Sequence, residues 1–187
     1  LRGELSAADE KRLAGAMQDL PYKVEQTLLL KNSVKALARK FGAARDFLFL
    51  GRGVSYPVAM EGALKLKEIS YVHAEAYAAG EMKHGPIALL DEKLPVVVIA
   101  PADDLLEKSL ANVEETRARK APVIIVTTEN VPDVNDAAGT IKVPMTEAEL
   151  TPFLTVLPLQ IFAYESALLR GCDIDQPRNL AKSVTVE

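Results

Sequence analysis

Three short, uninterrupted apolar runs constrain the fold of this chain more than any other feature. They are Phe47–Gly51, Pro95–Ala100 and Val123–Val126, and the last two are rich in β-branched residues. A strand with one wet face alternates apolar and polar residues. Continuous runs of this length therefore fit strands covered on both faces, the condition of a parallel sheet. Helical stretches lie between them, over Pro57–Tyr71 and Asp104–Lys120, and Leu150–Arg170 reads as a long apolar helix closed by Gly171. Weaker strand patterns fall at Ala74–Ala78 and Thr140–Pro144, and Glu129–Gly139 reads as a surface loop. Strands and helices in alternation predict an open, doubly wound α/β sheet.

Two helices precede the sheet. Ser6 is placed to cap Ala7–Leu20, which Pro21 is expected to end. Val24, Leu28, Val34, Leu37 and Ala38 then recur at helical spacing as far as Phe41, with Gly42 as the stop. The expected organisation is a helical connector over residues 1–42, the α/β domain over 43–171 and a tail over 172–187.

At 187 residues the chain is long enough to bury a core without staples. Its net charge of −4 argues against nucleic acid or an anionic membrane as main partner, but one phosphate needs only a local pocket. A single cysteine, Cys172, excludes an internal disulfide and fits a reducing compartment. No apolar run approaches the length of a membrane span, and no signal peptide is visible. A chain opening at Leu1 rather than Met is expected to be part of something longer.

Four segments carry chemistry. The turn Gly51–Pro57 combines two glycines and Arg52 ahead of a helix, which suits either a bound phosphate or a plain strand-to-helix turn. It matches neither phosphate-loop fingerprint. In the following helix Glu61, Lys65 and Glu68 share one face. On a buried helix such a stripe must be paired or face a cavity, and Lys65 would hold Glu68 ionised; on an exposed helix it is a solvated stripe of ion pairs. Both histidines lie within Tyr71–Pro86. His84 reads as an exposed proton donor and His73 as a structural hydrogen-bonder, with no zinc spacing among them. The tail is too structured for a frayed end: Pro177 stops the preceding helix, Arg178 and Lys182 stand four residues apart, and Val184 and Val186 alternate with polar residues.

Glu61–Glu68, His73–Tyr77, Gly80–Pro86 and Asp175–Glu187 together resemble the glucosamine-6-phosphate synthase family, also called glutamine–fructose-6-phosphate aminotransferase (isomerising). The resemblance runs from about Arg45 to Glu187, and the tail is its most specific piece. It implies a sugar isomerase (SIS) domain, a flavodoxin-like three-layer sandwich around a five-stranded parallel sheet. The family's full chain joins a glutaminase domain to two SIS domains, and this sequence looks like the second SIS domain with its tail. The implied reaction turns fructose 6-phosphate and glutamine-derived ammonia into glucosamine 6-phosphate, with no metal and no organic cofactor.

Residue by residue, the resemblance makes Glu68 the acid/base carboxylate that moves a proton between C1 and C2, with Lys65 beside it. His84 becomes the ring-opening histidine, supplied across a homodimer. Lys182 becomes the lysine that meets the open-chain carbonyl, and Ala181 binds substrate with it. The family's serine- and threonine-rich phosphate loop belongs to the first SIS domain, and Gly51–Ser55 lacks it. This stretch alone is therefore expected to be inactive and to bind the sugar phosphate weakly. A cytoplasmic location follows from the family and the cysteine count. The competing expectations are a phosphosugar-sensing SIS regulator and another double-SIS enzyme, a sugar-phosphate deaminase or deglycase; the tail weighs against the latter.

Overall fold

A computed structural model describes residues 5–180. Five strands, β1 (Asp46–Gly51), β2 (His73–Ala78), β3 (Val96–Ile99), β4 (Val123–Thr128) and β5 (Gly139–Val143), form one sheet in the order β2-β1-β3-β4-β5. Every neighbouring pair is parallel. Both weak strand patterns prove to be strands, at the two edges. The order reverses between β1 and β3, the switch point of a flavodoxin-like sheet.

The apolar runs are continuous because successive residues serve opposite layers. Phe47, Phe49, Val97, Ile99, Ile124 and Val126 point to one face. There they meet α2 (Lys31–Lys40), α3 (Ser55–Ser70) and α5 (Thr151–Leu169). Leu48, Leu50, Val96, Val98, Val123 and Ile125 point to the other, against Val113 of α4 (Leu106–Arg117) and Ala79 and Met82 of the 3₁₀ turn Ala79–His84. A three-layer sandwich follows from this division.

The opening helices depart from expectation. α1 runs Ala7–Leu28, straight through Pro21, and the break falls instead at Leu29 and Leu30. Ser6 does cap it, accepting from the Asp9 N–H. Pro21 and Met17 both lie on the exposed side, so the carbonyl that proline cannot bond is open to water, while packing on α5 holds the helix beyond it. A second correction concerns Pro177. The last helix already ends at Leu169, where Gly171 takes a left-handed φ of +67°, so Pro177 stops nothing.

A third correction concerns length. The helical stretch Ala148–Leu169 is long and apolar enough to cross a membrane. Here it is a core helix: Leu154, Leu159, Phe162, Ala163 and Ala167 are buried, and the stretch lies against α2 and α3. Its Glu165 is only 1 % exposed and faces Lys35 at 3.2 Å and Lys31 at 3.7 Å, pinning α2 to the core. A buried carboxylate needs such partners.

Candidate active site

The turn after β1 sets where α3 begins. A Cβ on Gly51 would collide with the Ser55 carbonyl, and Gly53 has φ +50°, so the helix starts directly off the strand. Arg52 is not held out for a ligand. Its Nε and Nη2 donate to Asn112 Oδ1 at 3.0 and 2.8 Å. Asn112 in turn donates to Glu115, which pairs with Lys83 at 2.7 Å. The cleft at this end, lined by Ser55, Asp103, Thr128 and Thr151 among others, is about 70 Å³. Ligand pockets are usually about 300–1,000 Å³, so this cleft is too small for a sugar phosphate. The geometry favours the plain-turn alternative.

α3 carries the charged stripe on one flank while Val58, Ala59, Gly62, Ala63 and Leu66 pack into the core. Lys65 Nζ lies 2.7 Å from Glu68 Oε2 and 3.9 Å from Glu61 Oε1. All three side chains are about a third exposed, between the buried and solvated alternatives, and they are paired. The hydrogen bond to Glu68 raises the Lys65 pKa above its ordinary 10.5, against partial burial, which lowers it. Lys65 is therefore a fixed cation at neutral pH beside a carboxylate that keeps its second oxygen free of it.

α3 ends at Ser70, and Tyr71 caps it in the left-handed region with φ 60° and ψ 20°. A non-glycine residue there costs about 1–2 kcal/mol. The described part of the tail closes on this point. Arg178 donates its backbone N–H to Tyr71 Oη at 2.9 Å, and its guanidinium stacks 4.1 Å from the Tyr71 ring centroid. Cys172 Sγ lies 3.9 Å from the Ser70 carbonyl.

The same end of the sheet holds His73, whose Nδ1 is 3.1 Å from Asp46 Oδ1, its partner in the β1–β2 register. His73 Nε2 is 3.6 Å from Glu75. These three side chains border an open cavity of about 730 Å³ floored by Phe41, Leu94 and Pro95. His73 is thus a hydrogen-bonder as expected, though an exposed one. No three His, Cys, Asp or Glu side chains converge as a metal site among the described residues.

His84 lies elsewhere. It ends the 3₁₀ turn beyond the carboxyl end of β2, exposed, with Nδ1 2.7 Å from Glu81 Oε2. α3 runs back against the strands, so Glu68 sits by their amino ends. Within one chain Lys65 and Glu68 pair near the end of α3 and Arg178 meets Tyr71 just beyond it, whereas His84 lies past the other end of β2. Ala181 and Lys182, with Val184 and Val186, lie outside the described residues. Sequence reasoning missed Tyr71 and Glu165: nothing in local pattern marks a tyrosine as a left-handed cap, or one glutamate as the buried exception in an apolar helix.

Residues 40–170 match the SIS domain family. The whole chain is 56 % identical over 187 residues to a glutamine–fructose-6-phosphate aminotransferase (isomerizing) of Thermus thermophilus, of which it spans 31 %. It is 53 % identical over 180 residues to the Aquifex aeolicus enzyme of the same name, covering 96 % of this chain and 30 % of that one. Among solved structures, the C-terminal domain of glucosamine-fructose-6-phosphate aminotransferase from Francisella tularensis superposes with a TM-score of 0.88 at 35 % identity. That match covers 92 % of this chain and 49 % of the other. The chain spans about a third of the length of these curated relatives. With the sheet order and the match over residues 40–170 in agreement, the chain belongs to the SIS domain family.

Proposed function

We propose that this chain is the C-terminal isomerase part of a glucosamine-6-phosphate synthase, acting on fructose 6-phosphate and glutamine-derived ammonia. The observation that carries the proposal is the Lys65–Glu68 pair at 2.7 Å on the end of the helix where the tail segment docks. Two relatives named for this activity are more than half identical over all or nearly all of the chain.

In the proposed reaction ammonia adds to the C2 carbonyl of the open-chain sugar and water leaves, forming an imine. The Glu68 carboxylate takes a proton from C1, made acidic by the adjacent imine, while the imine nitrogen gains a proton, to give an enolamine. A proton then returns at C2 while the C1 hydroxyl loses its own, leaving the aldehyde and amine of glucosamine 6-phosphate. Lys65 holds the Glu68 side chain through their 2.7 Å hydrogen bond. Lys182 meets the open-chain carbonyl, for which an amine is chemically suited, and Ala181 contacts substrate with it.

His84 opens the sugar ring from a second copy of the chain. Its separation from Glu68 within one chain is what supports a homodimer. The small cleft beside Gly51–Ser55 supports a phosphate held by another SIS domain of the same protein. We assign a cytoplasmic location, no metal or organic cofactor, and no nucleic-acid or membrane partner; the net charge of −4 supports the last.

The test is to supply fructose 6-phosphate and glutamine to the enzyme carrying this chain with its other SIS domain and glutaminase domain. Glucosamine 6-phosphate and glutamate in equal amounts are expected. Glutamate without amino sugar contradicts the assignment.

A further inference from the structure

We infer that Tyr71 is a positioning residue: it clasps the C-terminal segment onto the end of α3, and the rate of the chemical step depends on that clasp. The inference rests on the function proposed above. Three contacts define it. Tyr71 Oη accepts the Arg178 N–H, the Tyr71 ring carries the Arg178 guanidinium, and Cys172 Sγ approaches the carbonyl of Ser70, one residue earlier. Both ends of Cys172–Arg178 thus close on the Ser70–Tyr71 corner.

The backbone supplies the second argument. Tyr71 holds φ 60°, a left-handed conformation that helices usually give to glycine at this position. Glycine would cap α3 without strain but would offer neither ring nor hydroxyl. Strain of this kind persists where surrounding contacts over-determine it, and here both polar and stacking contacts come from the tail. Arginine suits the role because its planar guanidinium stacks on an aromatic face.

Reach links the clasp to the reaction. Tyr71 follows Glu68 by three residues, so the clasp fixes the end of the helix that aims the carboxylate. Lys182 follows Arg178 by four residues, and a chain of that length spans at most about 14 Å. Tyr71 touches no reacting atom in this scheme; it holds the end of α3, which carries the Glu68 carboxylate, against the tail segment. Displacements of about 1 Å at such a site can cost roughly 100-fold in rate.

The experiment uses the full enzyme and three variants: Tyr71→Asn, Tyr71→Phe and Arg178→Ala. Asparagine tolerates the left-handed backbone, so Tyr71→Asn removes the clasp while keeping the cap. Amide exchange at Arg178 is expected to quicken by about 10-fold or more in both Tyr71→Asn and Tyr71→Phe, since each removes the hydroxyl that accepts its N–H. For synthesis, kcat should fall by roughly 10- to 100-fold with KM for fructose 6-phosphate within about twofold. The Tyr71→Asn/Arg178→Ala double variant should be no worse than the poorer single one. Unchanged exchange or unchanged kcat in Tyr71→Asn overturns the inference, as does a loss of kcat matched by equal losses in KM behaviour and thermal stability. If the unmodified enzyme makes no glucosamine 6-phosphate, the functional proposal has failed, and the exchange measurement still decides whether the clasp exists.

Discussion

Glu68 and His84 stand at opposite ends of β2: Glu68 is on the last turn of α3, beside the strand's amino end, and His84 closes the 3₁₀ turn beyond its carboxyl end. The six residues of β2 span about 17–20 Å, too far for one substrate to touch both. If both serve one reaction, each site borrows His84 from a second copy.

That arrangement predicts complementation between subunits. Glu68→Gln and His84→Ala enzymes, each inactive alone, should recover roughly a quarter of wild-type activity when co-expressed, because random pairing gives half mixed dimers with one intact site each. The check is the specific activity of the purified mixture. No recovery places both residues in the same subunit's site, or removes one from catalysis.

Gly62 sets how closely α3 approaches α5. A Cβ there would lie 2.7 Å from Leu159 Cδ1 and 3.0 Å from the Phe49 ring. Gly62→Ala should therefore overpack the core by about 1–3 kcal/mol, lowering Tm by roughly 2–12 °C at this size. Calorimetry checks it. An unchanged or raised Tm means Leu159 moves aside freely, with the usual gain of alanine over glycine in a helix.

The division between legible and illegible features has a physical cause. β1, β3 and β4 show in the sequence because burial on two faces leaves nothing but apolar residues from Phe47 to Gly51 or Val123 to Val126. Glu61, Lys65 and Glu68 show because helical spacing is local. Pro21 misled because a proline penalty is local, whereas the packing of α1 on α5 that overrides it is not. Tyr71 and Arg178 are 107 residues apart, as are no two members of a local motif, and their meeting depends on α5 delivering the tail to the end of α3. Glu165 is likewise explained only by Lys31 and Lys35 on another helix.

The Lys65–Glu68 pair also predicts a pH dependence. The Lys65 pKa is raised in the folded state above 10.5, chiefly by the hydrogen bond to Glu68. A raised lysine contributes stability that is full below the unfolded value and lost as pH rises through the folded one. Thermal melts should show Lys65→Met less stable than wild type at pH 8, with the gap closing above pH of about 10.5. The pair is partly exposed, so the gap is small. A gap that widens with rising pH contradicts the assigned coupling.

Glu68 is the residue on which the account depends most. The most direct measurement is single-turnover formation of glucosamine 6-phosphate by the full enzyme carrying Glu68→Gln, with fructose 6-phosphate and ammonia supplied directly. Glutamine keeps the shape and the hydrogen-bonding oxygen but cannot take the C1 proton. A rate lower by about 100- to 10,000-fold, with sugar-phosphate affinity retained, is the predicted result. A rate within about twofold of wild type contradicts the role of Glu68 as the carboxylate that moves the proton.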